Sequence, residues 1–584
     1  MNEKWSLDAL YTGLDSAKFK ADWQELRELI AANRNLSDPA TTVAAIKARL
    51  QVFSRLSVLA NSLEGYLYLR TSADTSDIEA ENLLEQIQTA CNELKPAEVA
   101  FCRSIAAFTP WEDLITDPDL ADLKYYLERK RAESKYLLSS EEEELAAGLN
   151  MAGGNAWSAL FDQLTANLQM DFQGKKCTLA DIRNYAYDSE ASVREAAYRA
   201  ELASYKEIAV PVSFALNSIK KQAKFMSRRR GFASPLDEAV FDSFMSRETL
   251  DALLGAIRER LPLFRRYLKA KAKYLGHSGA LPWWDLFAPL GRTNHTYTLD
   301  EAKDLLVKAF NKLHPPIAEL MRRAFDEAWI DFWPRPGKVG GAFCSNLPQI
   351  KQSRILTNFN GSFDAVDTLA HELGHAYHGY RIQNHLPLNW DYSMPVAETA
   401  STFNETHLTL MSLADTDDRE EKLAILEGVL CNTCQTVVDI YSRFLFEEAV
   451  FDTCDRGRLT VEECCETMHK AQLEAYGEAI IPETLHPYMW ACKGHYYSSY
   501  MGYYNFPYAF GALLAIGLYS RYQAEGAAFM PKYDQFLTMT TVASAEDTAR
   551  SVGIDLTNQE FWLNGLDTFG TFVEQFEELV WKIY

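Results

Sequence analysis

The sequence predicts a mainly α-helical protein, built as one large helical body in two lobes with a small β-sheet near residue 350. Three observations carry that expectation. Apolar residues recur at three- and four-residue spacing over most of the 584 positions, which is the signature of helices with one buried face. Strand-like text, punctuated by Pro and Gly, is concentrated at 329–360. No Gly/Ser linker, tandem repeat or low-complexity tract separates autonomous domains. The composition fits: 47% hydrophobic and 24% charged residues describe a soluble globular chain with ample core.

In chain order, helical periodicity covers 18–32, 40–70, 75–107, 119–132 and 140–169. Ser139-Ser140 followed by four glutamates reads as a capped, acidic first turn. NLQMDFQGKKCTLA at 167–180 breaks the pattern, and the Gly between QMDF and KKCTLA predicts a short hairpin. Helices resume at 179–187, 192–226, 247–276, 299–313 and 315–328. AFCS and RILTNF supply the predicted sheet. Beyond it, helices are expected at 363–380, 395–413, 417–451, 459–476, 487–522, 530–540, 545–552 and 557–582. An N-terminal helical lobe is placed at 1–200 and a catalytic region at 201–584.

A net charge of −23 argues against nucleic-acid binding and against docking on anionic membranes. The basic stretch at 256–273 reads as a solvated helix face. The N-terminus lacks the apolar core of a signal peptide. The uncharged run from His495 to Arg521 carries too many polar groups for a good membrane helix. Ten scattered cysteines do not form a disulfide scaffold. Cys431 and Cys434 form a CxxC inside a helical pattern with no second pair nearby, so they read as buried thiols. Reduced cysteines and no signal point to a cytoplasmic protein.

His371-Glu372-Leu373-Gly374-His375 is an HExxH. On a helix, positions i and i+4 stack on one face, so both imidazoles aim at one point. Glu372 can then reach a water held there, the arrangement of a zinc hydrolase. Phe363, Val366, Leu369, Ala370 and Leu373 give the segment an apolar face. A third ligand is needed. His378 lies on the same helix, but seven residues rise about 10.5 Å, and a tetrahedron wants its third ligand from another direction. The extended HExxHxxGxxH pattern also fails, with His at 378 and Arg at 381. The next segment, PVAETASTFNE at 395–405, begins with a first-turn proline. It puts Glu398, Ser401, Thr402 and Glu405 on one face. One carboxylate there suits a ligand and the other a partner to a ligand imidazole, with Asp391 a weaker alternative.

Residues 495–511, HYYSSYMGYYNFPYAFG, hold six tyrosines and a histidine without a formal charge. Buried phenols want partners, and neutral O–H and imidazole donors suit an oxyanion. Tyr500, Tyr504 and Tyr508 are expected to share a face of a continuous helix.

These residues resemble the thimet oligopeptidase family of zinc peptidases, and within it the oligoendopeptidase F branch. The resemblance rests on HELGHAYH at 371–378, PVAETASTFNE, HYYSSYMGYYNFPYAFG, WSLDALYTGLDS at 5–16, and the looser GAFCSN…ILTNFNGSFDAVDTLAHELGH at 341–375. It implies one Zn²⁺ per chain on His371, His375 and Glu398, with Glu372 as general base. His495 matches the histidine that helps bind the transition state, and Tyr504 and Tyr508 resemble the catalytic tyrosines. The thimet branch has its second tyrosine three residues after the first; Pro507 occupies that position here, which leaves Tyr508. The resemblance further implies a helical fold whose lobes flank a deep channel lined by a small sheet. Its expected substrates are short unfolded peptides, cut internally in the cytoplasm. An edge strand at 341–358 would pair with the extended substrate. Two rivals remain: a carboxypeptidase or dipeptidyl carboxypeptidase, for which Arg354 and Lys351 could meet a free C-terminus, and a catalytically silent peptide-binding protein.

Overall fold

The computed structural model describes residues 3–36, 38–292 and 295–581. Helices dominate, and the described strands form two small sheets. The chain divides into two compact units, each assembled from three separate segments. The first comprises Met1–Leu137, His295–Met411 and Arg521–Ile554, and the second Leu138–Asn294, Ser412–Ser520 and Asp555–Tyr584. Residue 200 lies inside the long helix Ala191–Arg230.

In the first unit, Ala17–Asn33, Val43–Ala73 and Ile78–Asn92 pack their apolar stripes together. Leu26, Leu59, Leu63, Tyr66 and Ile87 form the centre of that cluster, with Leu347 from the sheet joining them. The single helix expected at 75–107 is two, because the chain turns at Glu93–Leu94 before Lys95–Ala107.

The hairpin expected near 170 is present in the second unit. Strands β1 (Gln169–Phe172) and β2 (Lys175–Thr178) pair antiparallel. Helix Arg247–Tyr274 packs along Gln559–Trp581, with Phe264 against Phe569 and Tyr267 against Phe576. Its basic stretch is largely the solvated face expected, with Arg258, Arg266 and Lys269 exposed, but it is also paired. Arg260 pairs with Asp567, Arg266 with Glu577 and Lys269 with Glu478, while Lys271 is fully buried on Glu427. Those cations are spent on neighbouring elements. Arg419–Thr453 is long and apolar enough to cross a membrane, but 56% of its most apolar window is buried within the fold. Cys431 and Cys434 lie within that run, and all ten cysteines are free thiols. Burial pushes the Cys431 thiol up to about 12.

The second sheet belongs to the first unit and has the order β3 (Ile330–Asp331), β5 (Gln352–Leu356), β4 (Phe343–Leu347). β5 is central, parallel to β3 and antiparallel to β4. Of the stretch 341–358, therefore, β4 alone is an edge.

Candidate metal centre

The HExxH lies on the helix Phe363–Ile382. Ser362 caps it, its hydroxyl accepting from the Ala365 N–H at 3.1 Å, with Asp364 in the first turn where the helix dipole favours an anion. Val366, Leu369, Ala370, Leu373 and Ala376 are buried and hold one face in the core. That leaves His371 and His375 a turn apart on the face turned toward Glu398.

Glu398 does not sit in one continuous helix over 395–413. It occupies the joint between Met394–Ala397 and Thr399–Asp415, with φ −85° and ψ 5°. The Ser401 hydroxyl donates to Glu398 Oε2 at 2.8 Å and fixes the carboxylate. What allows the two elements to meet is Gly374, the fourth residue of the motif. A Cβ there would lie 2.6 Å from the Ala400 carbonyl oxygen and 2.6 Å from Ser401 Cα. Both are backbone atoms that cannot swing aside. Asn404 clamps the same approach by donating to the Ala370 carbonyl at 3.0 Å.

The result is a compact donor set. His371 Nε2 and His375 Nε2 are 3.2 Å apart, and Glu398 Oε2 lies 3.3 Å from the first and 3.4 Å from the second. Zinc–ligand bonds of about 2.0–2.1 Å give a tetrahedral ligand–ligand edge of about 3.3 Å. All three sides of the triangle match that edge, so the residues fit a Zn²⁺ ion, with the fourth corner left to another group. Among the described residues this is the one group of three or more His, Cys, Asp or Glu side chains with converging ligand atoms. Glu405 Oε1 meets His371 Nδ1 at 2.7 Å, which sets the ring so that Nε2 faces the triad. Burial works against a charge on His371, yet Glu398 and Glu405 draw it up to about 11 in the ion-free chain. The carboxylates thus create a place where positive charge is stabilised.

Glu372 is 5% exposed, and its Oε2 has no hydrogen-bond partner. Burial raises its carboxyl above the ordinary value, while His371 and His375 pull it down. An unpartnered carboxylate oxygen beside the His371, His375 and Glu398 donor set is what a proton acceptor requires.

β4 is pinned to this helix. Asn346 donates from Nδ2 to the His375 carbonyl at 3.2 Å and accepts at Oδ1 from the Ser353 hydroxyl at 2.8 Å. The free edge of the sheet therefore runs on the strand tied to the motif. Arg354, one candidate for meeting a substrate C-terminus, is buried. Its guanidinium donates to the Ser6 and Ser353 carbonyls and to Gln352. Lys351 bonds to Asn384.

His378 is not part of the triad. It is fully buried, with Nε2 2.8 Å from the Thr540 hydroxyl and its ring stacked on Tyr392 at 4.1 Å and 4°. Asp391 is also outside the donor set.

His495, Tyr504 and Tyr508 lie in the second unit. Ring centroids are 5.1 Å apart for His495–Tyr504, 5.7 Å for His495–Tyr508 and 6.1 Å for Tyr504–Tyr508. Burial, Arg443 and Lys493 push the imidazole of His495 down to about 4, so it is neutral at pH 7. The expected continuous helix is absent. A short 3₁₀ turn, Gly494–Tyr497, is followed by irregular chain, and the helix begins only at Phe506. Tyr500 therefore does not share a face with Tyr504 and Tyr508: it is 80% exposed and accepts from Asn155 Nδ2 at 2.8 Å. Tyr496 and Tyr497 are core residues, the latter donating to the Trp490 carbonyl. Spacing places Ser401 on the Glu398 face, but Gly374, Asn404 and Asn346 escape sequence reasoning. Only Gly374 lies within the motif; the roles of all three arise from tertiary contacts.

Residues 184–568 match the pattern of peptidase family M3, and residues 109–169 match that described as oligopeptidase F. The oligopeptidase PepF of Bacillus subtilis is 26% identical, with 100% of this chain and 88% of that protein aligned. The group B oligopeptidase PepB of Streptococcus agalactiae is 27% identical over 80% of this chain and 78% of its own. Among solved structures, a candidate peptidase from Chlamydophila abortus superposes with a TM-score of 0.83 at 20% identity, covering 99% of this chain and 98% of that one. Oligoendopeptidase-F from Enterococcus faecium gives 0.71 at 19%, covering 97% and 99%. At those identities the structural likeness is one of fold.

Proposed function

The chain belongs to peptidase family M3 and is a metalloendopeptidase of the oligoendopeptidase F branch, and from that premise we propose that it uses one Zn²⁺ to cut internal bonds of short unfolded peptides in the cytoplasm. The observation that carries the zinc assignment is the triangle of donor atoms, whose 3.2, 3.3 and 3.4 Å sides suit tetrahedral coordination. His371, His375 and Glu398 would hold the ion, with Glu405 orienting His371. When bound, it supplies Lewis acidity, polarising a peptide carbonyl and acidifying water.

Glu372 accepts the proton of the attacking water on its unpartnered oxygen and later delivers it to the departing amine. His495, Tyr504 and Tyr508 donate neutral hydrogen bonds to the negative oxygen that develops on the carbonyl. Support for them is their mutual packing and the low protonation tendency of His495. The open edge of β4 takes the extended peptide backbone as an added strand. Free thiols throughout support a reducing compartment.

The test is a set of peptides sharing one cleavable sequence, free or blocked at both ends, and the same sequence held in a rigid loop of a folded protein. Internal cutting of the blocked peptide with survival of the folded loop is expected. Cutting that requires an unblocked C-terminus would overturn the endopeptidase reading.

A further inference from the structure

The second unit contains a cavity of about 340 Å³ that the proposed chemistry does not use. The size lies at the lower end of small-ligand sites, roughly 300–1,000 Å³. Its walls are aromatic: Tyr187, Tyr198, Trp283, Trp284 and Phe287 line it. Ring pairs here are tilted, Tyr187–Phe287 at 5.0 Å and 44°, Tyr198–Trp284 at 5.5 Å and 48°. Faces of this kind accept a further ring.

The charged and titratable lining is Arg183, Arg194, Glu201, His486 and Lys493, with Asn184 and Gln435 beside them, and its charges do not balance. Glu201 is already committed. Its Oε1 lies 3.4 Å from His486 Nε2 and 3.6 Å from Arg183 Nε, and it accepts from the Tyr205 hydroxyl at 2.9 Å. Burial opposes its charge, but His486 and Arg183 hold the carboxyl down to about 2. Two further carboxylates are committed as well, Asp285 to Arg194 and His277 and Asp439 to Arg443. Lys493 is left over. Its ammonium makes no hydrogen bond or ion pair among the described residues, and burial first, then the neighbouring Arg443, lowers it below the ordinary lysine value. His486 is 2% exposed, and its Nδ1 has no partner. A half-buried cation without a partner and a buried imidazole nitrogen without one are costly unless an occupant satisfies them.

We propose that this cavity binds a small carboxylate carrying an aromatic ring, the chemistry of an aromatic amino acid or of the C-terminal aromatic residue of a peptide. The carboxylate meets Lys493 and Arg183, and the ring lies among Trp283, Trp284, Tyr198 and Phe287. None of these residues belongs to the metal triad or is a proposed oxyanion donor. Binding is therefore independent of turnover and can be read without it.

The experiment is calorimetric titration of the full-length, zinc-loaded Glu372→Gln protein, in which turnover should be strongly suppressed. Probes are N-acetylphenylalanine, its amide, N-acetylalanine and free phenylalanine. The acid should bind at least tenfold more tightly than both the amide and the alanine compound. Lys493→Gln should weaken the acid at least tenfold, and Lys493→Arg should restore most of it. Tighter binding of the acetylated acid would name a peptide C-terminus as the source, and tighter binding of free phenylalanine a free amino acid. Equal binding of acid and amide, equal binding of the phenylalanine and alanine compounds, or no binding of any probe would overturn the proposal. The ligand series on the unaltered cavity decides it even if the Lys493 variants fail to fold.

Discussion

Replacing Gly374 by Ala probes how the third ligand is brought to the histidines. The added Cβ would stand 2.6 Å from the Ala400 oxygen and 2.6 Å from Ser401 Cα. Optimal carbon contacts lie at about 3.5–4.0 Å, so Thr399–Asp415 must retreat by about 0.9 Å. Glu398 would travel with it, and the 3.3 and 3.4 Å sides of the donor triangle would open toward about 4 Å. Metal sites tolerate departures of only about 0.2 Å in bond length. Side-chain rotation of Glu398 recovers part of that gap, at the expense of its bond from Ser401. Disturbing such supporting contacts typically lowers metal affinity about 10–100-fold. Overpacking costs about 1–3 kcal/mol, against a helix-propensity gain of up to about 1 kcal/mol for Gly→Ala. The clash wins because its partners are backbone. Gly428 supplies the control: it is helical and exposed, and a Cβ there meets nothing within 4 Å. Competition with a chromophoric zinc chelator reads the affinity, and thermal melting reads stability. Gly374→Ala should bind zinc at least tenfold more weakly and melt lower, while Gly428→Ala should bind normally and melt no lower. Unchanged zinc affinity in folded Gly374→Ala would refute the reasoning.

Glu372→Gln keeps volume and polarity but cannot take a proton; it should retain stoichiometric zinc by elemental analysis and lose at least about 10²–10⁴ in turnover, and near-normal turnover would sink the base assignment. His378→Ala should keep its zinc while losing the Tyr392 stack and the Thr540 contact, whereas Glu398→Ala should lose zinc; the reverse pattern would show the ligand set to be wrong. Burial holds His378 down to about 3 and His407 to about 4 in the fold, against about 6.5 when unfolded. Below 6.5 the unfolded chain binds more protons, so their contribution is full above that pH and is lost as pH falls toward 3–4. Urea midpoints should thus drop more between pH 7 and 5 for the wild type than for His378→Gln, and parallel profiles would contradict that account.

The metal helix is legible in the sequence because its signal is local. A four-residue repeat of histidines on an apolar-faced helix needs no knowledge of the rest of the fold, and the first-turn Pro395 marks the element that brings Glu398. Glu405 is half-legible: spacing puts it on the Glu398 face, but only the fold decides which carboxylate meets which atom. Gly374 and Asn346 are illegible, because a forbidden Cβ and a side-chain clamp exist only once two distant segments touch. Tyr500–Asn505 shows a different failure. Steps of four suggested a helix, although Pro507 fits the first turn of a helix better than its middle, and the helix indeed starts at Phe506. The solvated reading of 256–273 holds for Arg258, Arg266 and Lys269 but misses the buried Lys271 and the ion pairs, because partners such as Asp567 and Glu577 lie some 300 residues away. The interleaved units are hidden for the same reason, since composition carries no mark where a chain leaves one core for another.

The central claim is that this chain cuts internal peptide bonds with a metal held by His371, His375 and Glu398. The most direct measurement is hydrolysis of one end-blocked peptide by the purified protein, followed before chelation, after chelation, and after return of one equivalent of Zn²⁺, with cut positions mapped by mass spectrometry. Internal cutting that stops on chelation and returns with the single equivalent is the predicted result. Cutting that persists in the metal-free protein would contradict it.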